Sequence, residues 1–337
     1  MTDLTIIVPL YNHEKELIRC LDSLVKSIDD KMLILVVDDG STDNGYKLGK
    51  EYAKNNKLVK VIHKENGGLC SARNFGIEHS NSKYITFCDP DDAVNNNYKY
   101  RELIDKIDEG NYDYLIFNFS YNKNNIITPN TKFPKTNKVL QSKEDIMYLQ
   151  ASTLVGNINN LNIDFFDGCS YTWSKIYKSS IIKQNKLLFN TNLKFSEDSL
   201  YNFIYISYIN KAVIMDKKLY NYYVYDTNTT NRYKNNIADD YDIYNNEISY
   251  LKNSNNPILM NAYYARMLRN LTNILRYCTF HKDNPKKGNI KSVLEKYPYY
   301  KESIKKAKYK YLSKKQKIIL FLFKIRFYKT IELVFKL

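Results

Sequence analysis

Over its first hundred residues the chain alternates short, β-branched apolar runs with segments of helical periodicity. "LTIIVPLY", "MLILVVDD", "LVKVIHKE" and "KYITF" read as strands, and "HEKELIRCLDSLVKSI", "NGYKLGKEYAKNN" and "CSARNFGIEHS" as helices. Leu17, Leu21, Leu24 and Ile28, for instance, share one helical face. Fully apolar strands joined by helices predict an α/β fold, with a mostly parallel central sheet flanked by helices. Ligands of such sheets bind beyond the carboxyl ends of the strands. Three of the four strand ends are polar here: "PLYN", "DDGSTD" and "DPDD". After "YDYLIFNFSY" the pattern becomes irregular, and after about Arg232 it turns helical, with no internal repeat. A division follows into an α/β domain over 1–235, with halves of about 1–115 and 116–235, and a helical region over 236–337.

Charge adds a second constraint. Lys and Arg number 51 against 36 Asp and Glu, and from Lys301 onward twelve Lys/Arg face only Glu302 and Glu332. Nucleic acid, an anionic membrane surface and simple solubility are the readings of such a basic tail. The five scattered cysteines form no C-x-x-C spacing, so a zinc site is not expected and reduced, cytosolic thiols are. No secretory signal pattern opens the chain, and no uninterrupted apolar run has the length of a membrane span.

The carboxylate clusters sit where a ligand is expected. In "FCDPDDAV", Asp89, Asp91 and Asp92 follow a buried strand. Like charges so close are costly unless a cation neutralises them. A hard divalent ion would do so and pass its other positions to phosphate oxygens. A polar turn with Asp92 as helix cap is the plainer alternative. In "VVDDGSTD", Asp38 and Asp39 suit a base and ribose, while Ser41 or Thr42 also reads as a helix cap. "ENGGLCSARNFG" offers two glycines ahead of a helix carrying Arg73, which suits a diphosphate. It is neither of the standard dinucleotide and P-loop signatures.

In order and spacing, "VPLYN", "VVDDGSTD", "NGGLCSARNFG" and "FCDPDD" resemble the family 2 glycosyltransferases, which have the GT-A, Rossmann-like fold. The resemblance is dense over residues 3–110 and looser through "YTWSKIYKSSIIKQNKLLFNTNLKFSEDSLYNF". It implies that Pro9, Tyr11 and Asp39 cradle the nucleotide, and that Arg73 lies near the donor diphosphate. It makes Asp89 and Asp91 the DxD pair, with Mn²⁺ or Mg²⁺ on Asp91 and Asp92 adjacent. Pro90 departs from the commoner Ser or Ala and should stiffen the turn. Asp198 is implied as general base with Glu197 beside it, and Trp173 as a ring that either stacks on a sugar or belongs to the core. The implied reaction is inverting transfer from a nucleotide sugar, usually a UDP-sugar. The motif Gln-x-x-Arg-Trp of processive members is absent, which implies a non-processive enzyme.

Two rival classes remain: a sugar nucleotidyltransferase, and a non-catalytic basic module for membrane or nucleic acid. The first lacks its N-terminal Gly-rich, basic signature. The second conflicts with charge that is terminal rather than spread over the fold, so no nucleic-acid partner is expected. His13, His63, His79 and His281 adjoin no cluster and read as exposed or packed, the tyrosines of "KLYNYYVYDTNTTNRYK" as an edge strand or acceptor groove, and Arg232 as a second candidate for the diphosphate. The tail predicts one basic amphipathic helix over about 313–337, with Ile319, Phe323, Phe327, Ile331 and Val334 as its apolar stripe. Such a helix suits the inner face of a plasma membrane, where a lipid-linked acceptor would reside, or docks on the rest of the chain.

Overall fold

The computed structural model describes residues 2–156, 169–225, 233–285 and 288–336. The four apolar runs form β1 (Thr2–Leu10), β2 (Met32–Asp39), β3 (Val59–Lys64) and β4 (Ser82–Phe87). β1 pairs in parallel with β2 on one side and β4 on the other, and β3 pairs in parallel with β2. The connecting helices are α1 (Leu17–Val25), α2 (Gly45–Asn55) and α3 (Leu69–Glu78). Because the order runs β3-β2-β1-β4, the winding reverses between β1 and β4. A crevice opens at such a switch point.

The sheet continues from β4 through β9 (Lys175–Lys178), β6 (Tyr114–Lys123) and β10 (Ala212–Tyr223) to β5 (Ala93–Val94). β9 is antiparallel to β4 and β6, while β10 is parallel to β6 and antiparallel to β5. Two short strands, β7 (Ile126–Pro129) and β8 (Lys138–Leu140), add antiparallel pairs to β6 and β10. The sheet is therefore mixed, parallel in its amino-terminal half and largely antiparallel beyond β4. Leu17, Leu21 and Leu24 of α1 are buried against Leu4, Ile6, Val8 and Leu10. Each such side chain contributes about 1.5–3 kcal/mol on burial. Trp173 lies in this same core. Helix α4 (Tyr100–Glu109) covers β6, and α3 covers β1 and β2.

The chain divides into two compact units, but not by a single cut near residue 235. One comprises Met1–Ile146, Phe166–Thr191 and Glu197–Asp226; the other comprises Met147–Phe165, Asn192–Ser196 and Thr227–Leu337. The second unit takes most of α5 (Lys143–Val155) because that helix bonds within it: Arg266 Nη1 donates to the Leu154 carbonyl at 3.2 Å. Its centre is α9 (Pro257–Ile274), capped by Asn256, with α8 (Ile237–Glu247), α10 (Ile290–Lys296) and α11 (Tyr299–Lys306) around it.

The tail differs from the single helix expected over about 313–337. It forms α12 (Lys314–Lys324) and α13 (Tyr328–Lys336). Arg326 adopts the left-handed φ of 60°, and the Phe327 N–H donates to the Leu322 carbonyl at 2.9 Å and Arg326 N–H to Phe323 at 3.1 Å. That is a Schellman stop, usually built with glycine. With arginine in its place, the sequence carries no breaker and reads as one helix. Ile319, Phe323 and Ile331 of the expected stripe are buried, whereas Phe327 and Val334 are exposed. Among the described residues, no helix is long and apolar enough to cross a membrane. Within the irregular stretch after "YDYLIFNFSY", residues 122–125 end β6 and turn into β7.

Gly76 marks the closest approach of α3 to the sheet: a Cβ there would lie 2.5 Å from Ile7 Cγ2. Gly76→Ala is expected to cost about 1–3 kcal/mol by overpacking, read as a lower denaturant midpoint at unchanged m-value.

Candidate active site

A cleft of about 410 Å³ lies at the β1/β4 switch point. Pro9, Tyr11 and His13 line it from the end of β1, Asp39 from β2, Asn66, Gly68 and Leu69 from the turn into α3, and Asp89, Pro90 and Asp91 from the loop after β4. Tyr11 is 45 % exposed, a ring free to face a ligand. The three polar strand ends thus do converge.

Asp39 is buried and already engaged. Its Oδ1 accepts from Lys64 Nζ at 2.6 Å and the Gly67 N–H at 3.0 Å; its Oδ2 accepts from the Gly68 N–H at 2.7 Å. The glycine turn expected to cradle a diphosphate therefore spends its N–H groups on this carboxylate, which reaches them first from the neighbouring strand. Parallel register explains the lysine, since β2–β3 pairing sets Asp39 opposite Lys64 and Asp38 opposite His63. His63 Nδ1 lies 2.6 Å from Asp38 Oδ2, so this histidine, read from sequence as unattached, is half of a pair. Gly40 allows the close passage: with φ at 72°, a Cβ there would meet the Asn66 nitrogen at 2.8 Å.

Arg73 does not line the cleft. Its buried guanidinium gathers carboxylates behind it: Nη1 donates to Asp198 Oδ1 at 2.5 Å and Nη2 to Asp89 Oδ1 at 3.2 Å, with Glu197 Oε1 at 3.6 Å. Asp89 lies two residues beyond β4, and Glu197 and Asp198 open α7 (Glu197–Ile206). Asp198 Oδ2 accepts from the Thr172 N–H at 3.3 Å. One cation facing three carboxylates leaves a negative excess. Burial, then the Asp198 charge, pushes Glu197 up to about 8 against the pull of Arg73. Burial likewise pushes Asp89 up to about 6, with Arg73 opposing and Asp198 and Asp91 adding. Burial disfavours the charge of Arg73 itself, but the carboxylates more than reverse this and hold it protonated.

The DPDD loop divides its acids between three directions. Asp89 turns to Arg73, Asp91 lines the cleft, and Asp92 is buried. Asp92 accepts from Tyr220 Oη at 2.6 Å and the Tyr223 N–H at 2.7 Å, so it braces the loop to β10 and is not placed to hold a metal as expected. Burial, followed by the Asp89 and Asp91 charges, raises it well above the usual carboxylate range. Arg19 of α1 secures the other side: Nη2 donates to the Asp91 carbonyl at 2.5 Å and to Tyr225 Oη at 2.9 Å, and its guanidinium lies over the Tyr223 ring. Among the described residues no three His, Cys, Asp or Glu side chains converge as a metal cage. Asp91 and Asp89, a hard-oxygen pair in a negative setting, still fit a Mg²⁺- or Mn²⁺-type ion, which binds through one or two carboxylates plus substrate phosphates.

Trp173 is 2 % exposed, stacked on Tyr220 at 4.6 Å and on Tyr171 at 4.5 Å between ring centroids. It cannot meet a sugar from there; Tyr171, 40 % exposed at the end of the stack, is the accessible ring. Arg232 lies outside the described residues. Sequence reasoning missed Arg19, His13, Tyr220 and Tyr223. For Tyr220 and Tyr223 the tyrosine-rich "KLYNYYVY" is the signal, which reads from sequence as an edge strand or an acceptor groove rather than as a brace for the DPDD loop.

The raised Glu197 carries a sign. Its folded-state value of about 8 exceeds the ordinary 4.5, so its protonated form stabilises the fold below pH 4.5 and that contribution is lost as pH rises to about 8. Thermal melts in EDTA should therefore show Glu197→Gln gaining on the native protein across that window and running parallel to it at higher pH.

The model of the family described as "Glycosyl transferase family 2" matches residues 5–156. Among curated relatives, the chain is 27 % identical to the uncharacterized glycosyltransferase EpsJ of Bacillus subtilis, over 65 % of this chain and 60 % of EpsJ. It is also 27 % identical to the poly(ribitol-phosphate) beta-N-acetylglucosaminyltransferase TarS of Staphylococcus aureus, over 66 % of this chain and 35 % of TarS. The chain thus spans less than two thirds of EpsJ and about a third of TarS. The crystal structure of S. aureus TarS 1–349 in complex with UDP-GlcNAc superposes with a TM-score of 0.67 at 22 % identity, over 98 % of this chain and 90 % of that one. That likeness establishes the GT-A fold. With the switch-point cleft and the four motifs around it, the family match identifies residues 5–156 as a glycosyl transferase family 2 domain.

Proposed function

We propose that the chain transfers one sugar at a time, with inversion, from a nucleotide sugar to a hydroxyl of a glycan or lipid-linked oligosaccharide in cell-surface polysaccharide synthesis. The donor is a UDP-sugar, as the UDP-GlcNAc held by TarS suggests for a shared fold. The observation that carries this reading is the cleft lined by both Asp39 and Asp91, with Asp89 tying its wall to the Arg73–Asp198 cluster.

In this reading Tyr11 and Pro9 receive the base, and Asp39 holds the turn beneath it while one acceptor position on Oδ2 remains for the nucleotide. A divalent ion on Asp91 and Asp89 would supply Lewis-acid stabilisation of the departing diphosphate. Asp198 keeps one oxygen on Arg73 and takes the acceptor hydroxyl's proton as that oxygen attacks the anomeric carbon. The bond from that carbon to the diphosphate breaks from the opposite face, which inverts the configuration and releases UDP. Glu197, protonated near neutrality, withholds a second charge from the same spot. Arg73 acts as a positioning group for the base rather than as a diphosphate ligand.

Release of UDP from a panel of UDP-sugars, with Mn²⁺ or Mg²⁺, tests the reading. Asp198→Asn should lower kcat by roughly 10²–10⁴-fold with donor KM little changed. Asp91→Asn should abolish metal-dependent UDP binding seen by calorimetry. Full turnover in EDTA would refute the metal assignment, and native-like kcat in Asp198→Asn would refute the base.

A further inference from the structure

Docking of Ile319, Phe323 and Ile331 leaves a second apolar set on the outer side of the tail. Ile318, Phe321 and Ile325 follow one another at helical spacing and are 61, 54 and 43 % exposed; Phe327 is 58 % exposed. A row of this kind on a protein surface marks an interaction site. Beside it runs a groove of about 970 Å³, lined by Lys291 of α10, Lys301 and Lys305 of α11, and Lys324 and Arg326 of the α12–α13 corner. Glu295 is the one carboxylate lining this groove, and none of those five cations makes an ion pair among the described residues. Row and groove meet at the left-handed corner, where Phe327 lines an adjoining cleft with Arg326 and Lys291.

We infer that this face docks on an anionic phospholipid bilayer, with headgroup phosphates in the basic groove and the outer row of Ile318, Phe321, Ile325 and Phe327 entering the acyl boundary. Charge complementarity selects the occupant. Twelve Lys/Arg against two Glu from Lys301 onward suit a surface of many phosphates, and flexible lysine stems reach such a surface without a fixed geometry. A soluble phosphate would use the cations but leave the apolar row in water; the bilayer interface satisfies both at once. The inference does not depend on the transferase reading, because it concerns binding by the second unit alone.

Flotation of the full chain with vesicles tests it. Binding is expected to mixed phosphatidylcholine–phosphatidylglycerol vesicles and not to phosphatidylcholine alone, and to weaken as salt is raised. The double variants Phe321→Ser/Phe327→Ser and Lys324→Glu/Arg326→Glu should each lose at least about tenfold in vesicle affinity, since both forces are required. Their melting and UDP binding should stay native. Equal binding to both vesicle types, or none to either, would overturn the inference. So would inorganic phosphate competition with no loss in the Phe variant, which would mean a soluble-anion site. A native dimer that the Phe variant dissociates while vesicle binding persists would assign the row to self-association and overturn it too.

Discussion

One buried guanidinium ties the candidate site together. Arg73 reaches Asp89 just beyond β4 and Glu197 and Asp198 at the start of α7, segments separated by more than a hundred residues in the chain. A planar guanidinium spreads five N–H donors in a fixed fork, so it can bond separate carboxylates on different sides, where a lysine offers three donors on a single atom. Removing one partner of a buried ion pair costs about 3–5 kcal/mol, because the charges left behind lose both water and counterion. The position of Arg73 in turn rests on the close approach of α3 to β1 at Gly76 and on the glycine turn fastened to Asp39.

The cluster is deliberately under-neutralised. Three carboxylates share one cation, and burial, with the neighbouring carboxylates adding to it, raises the proton affinity of Asp89 and Glu197 against the pull of Arg73. The same excess invites a metal at the cleft side, where Asp91 is held by its backbone rather than by its side chain. Arg19 and Tyr225 both bond the Asp91 carbonyl, leaving the carboxylate available to a ligand. Asp92 performs the complementary task, spending its carboxylate on Tyr220 and Tyr223 so that the loop cannot lift from β10.

Aromatic side chains back the DPDD loop, since Tyr220 both bonds Asp92 and stacks on Trp173. Trp173 is sandwiched rather than displayed, and its burial carries the exposed ring role to Tyr171 two residues earlier. In the tail, the same distinction between a packed and a displayed face recurs. Helical spacing identified a genuine stripe, but Ile319, Phe323 and Ile331 bury it, and the outward row at Ile318, Phe321 and Ile325 is a different set.

Much of the architecture was legible from local pattern. Apolar runs such as "MLILVVDD" dictate buried strands, and helical spacing from Leu17 to Leu24 dictates the face of α1 that packs. Those strand ends then had to meet at one edge, because parallel strands share a direction. What Asp39, Asp92, Arg73 and Trp173 touch was not legible. Cross-strand register set Lys64 against Asp39, the β5–β10 pairing set Tyr220 and Tyr223 against Asp92, and α7 delivered Asp198 to Arg73. By itself, then, the sequence determined which residues are strand, helix and strand-end acid, since those follow from neighbours a few positions away. Only the tertiary structure decided which acid faces a ligand, which an arginine and which the core, because that choice depends on partners brought from distant segments.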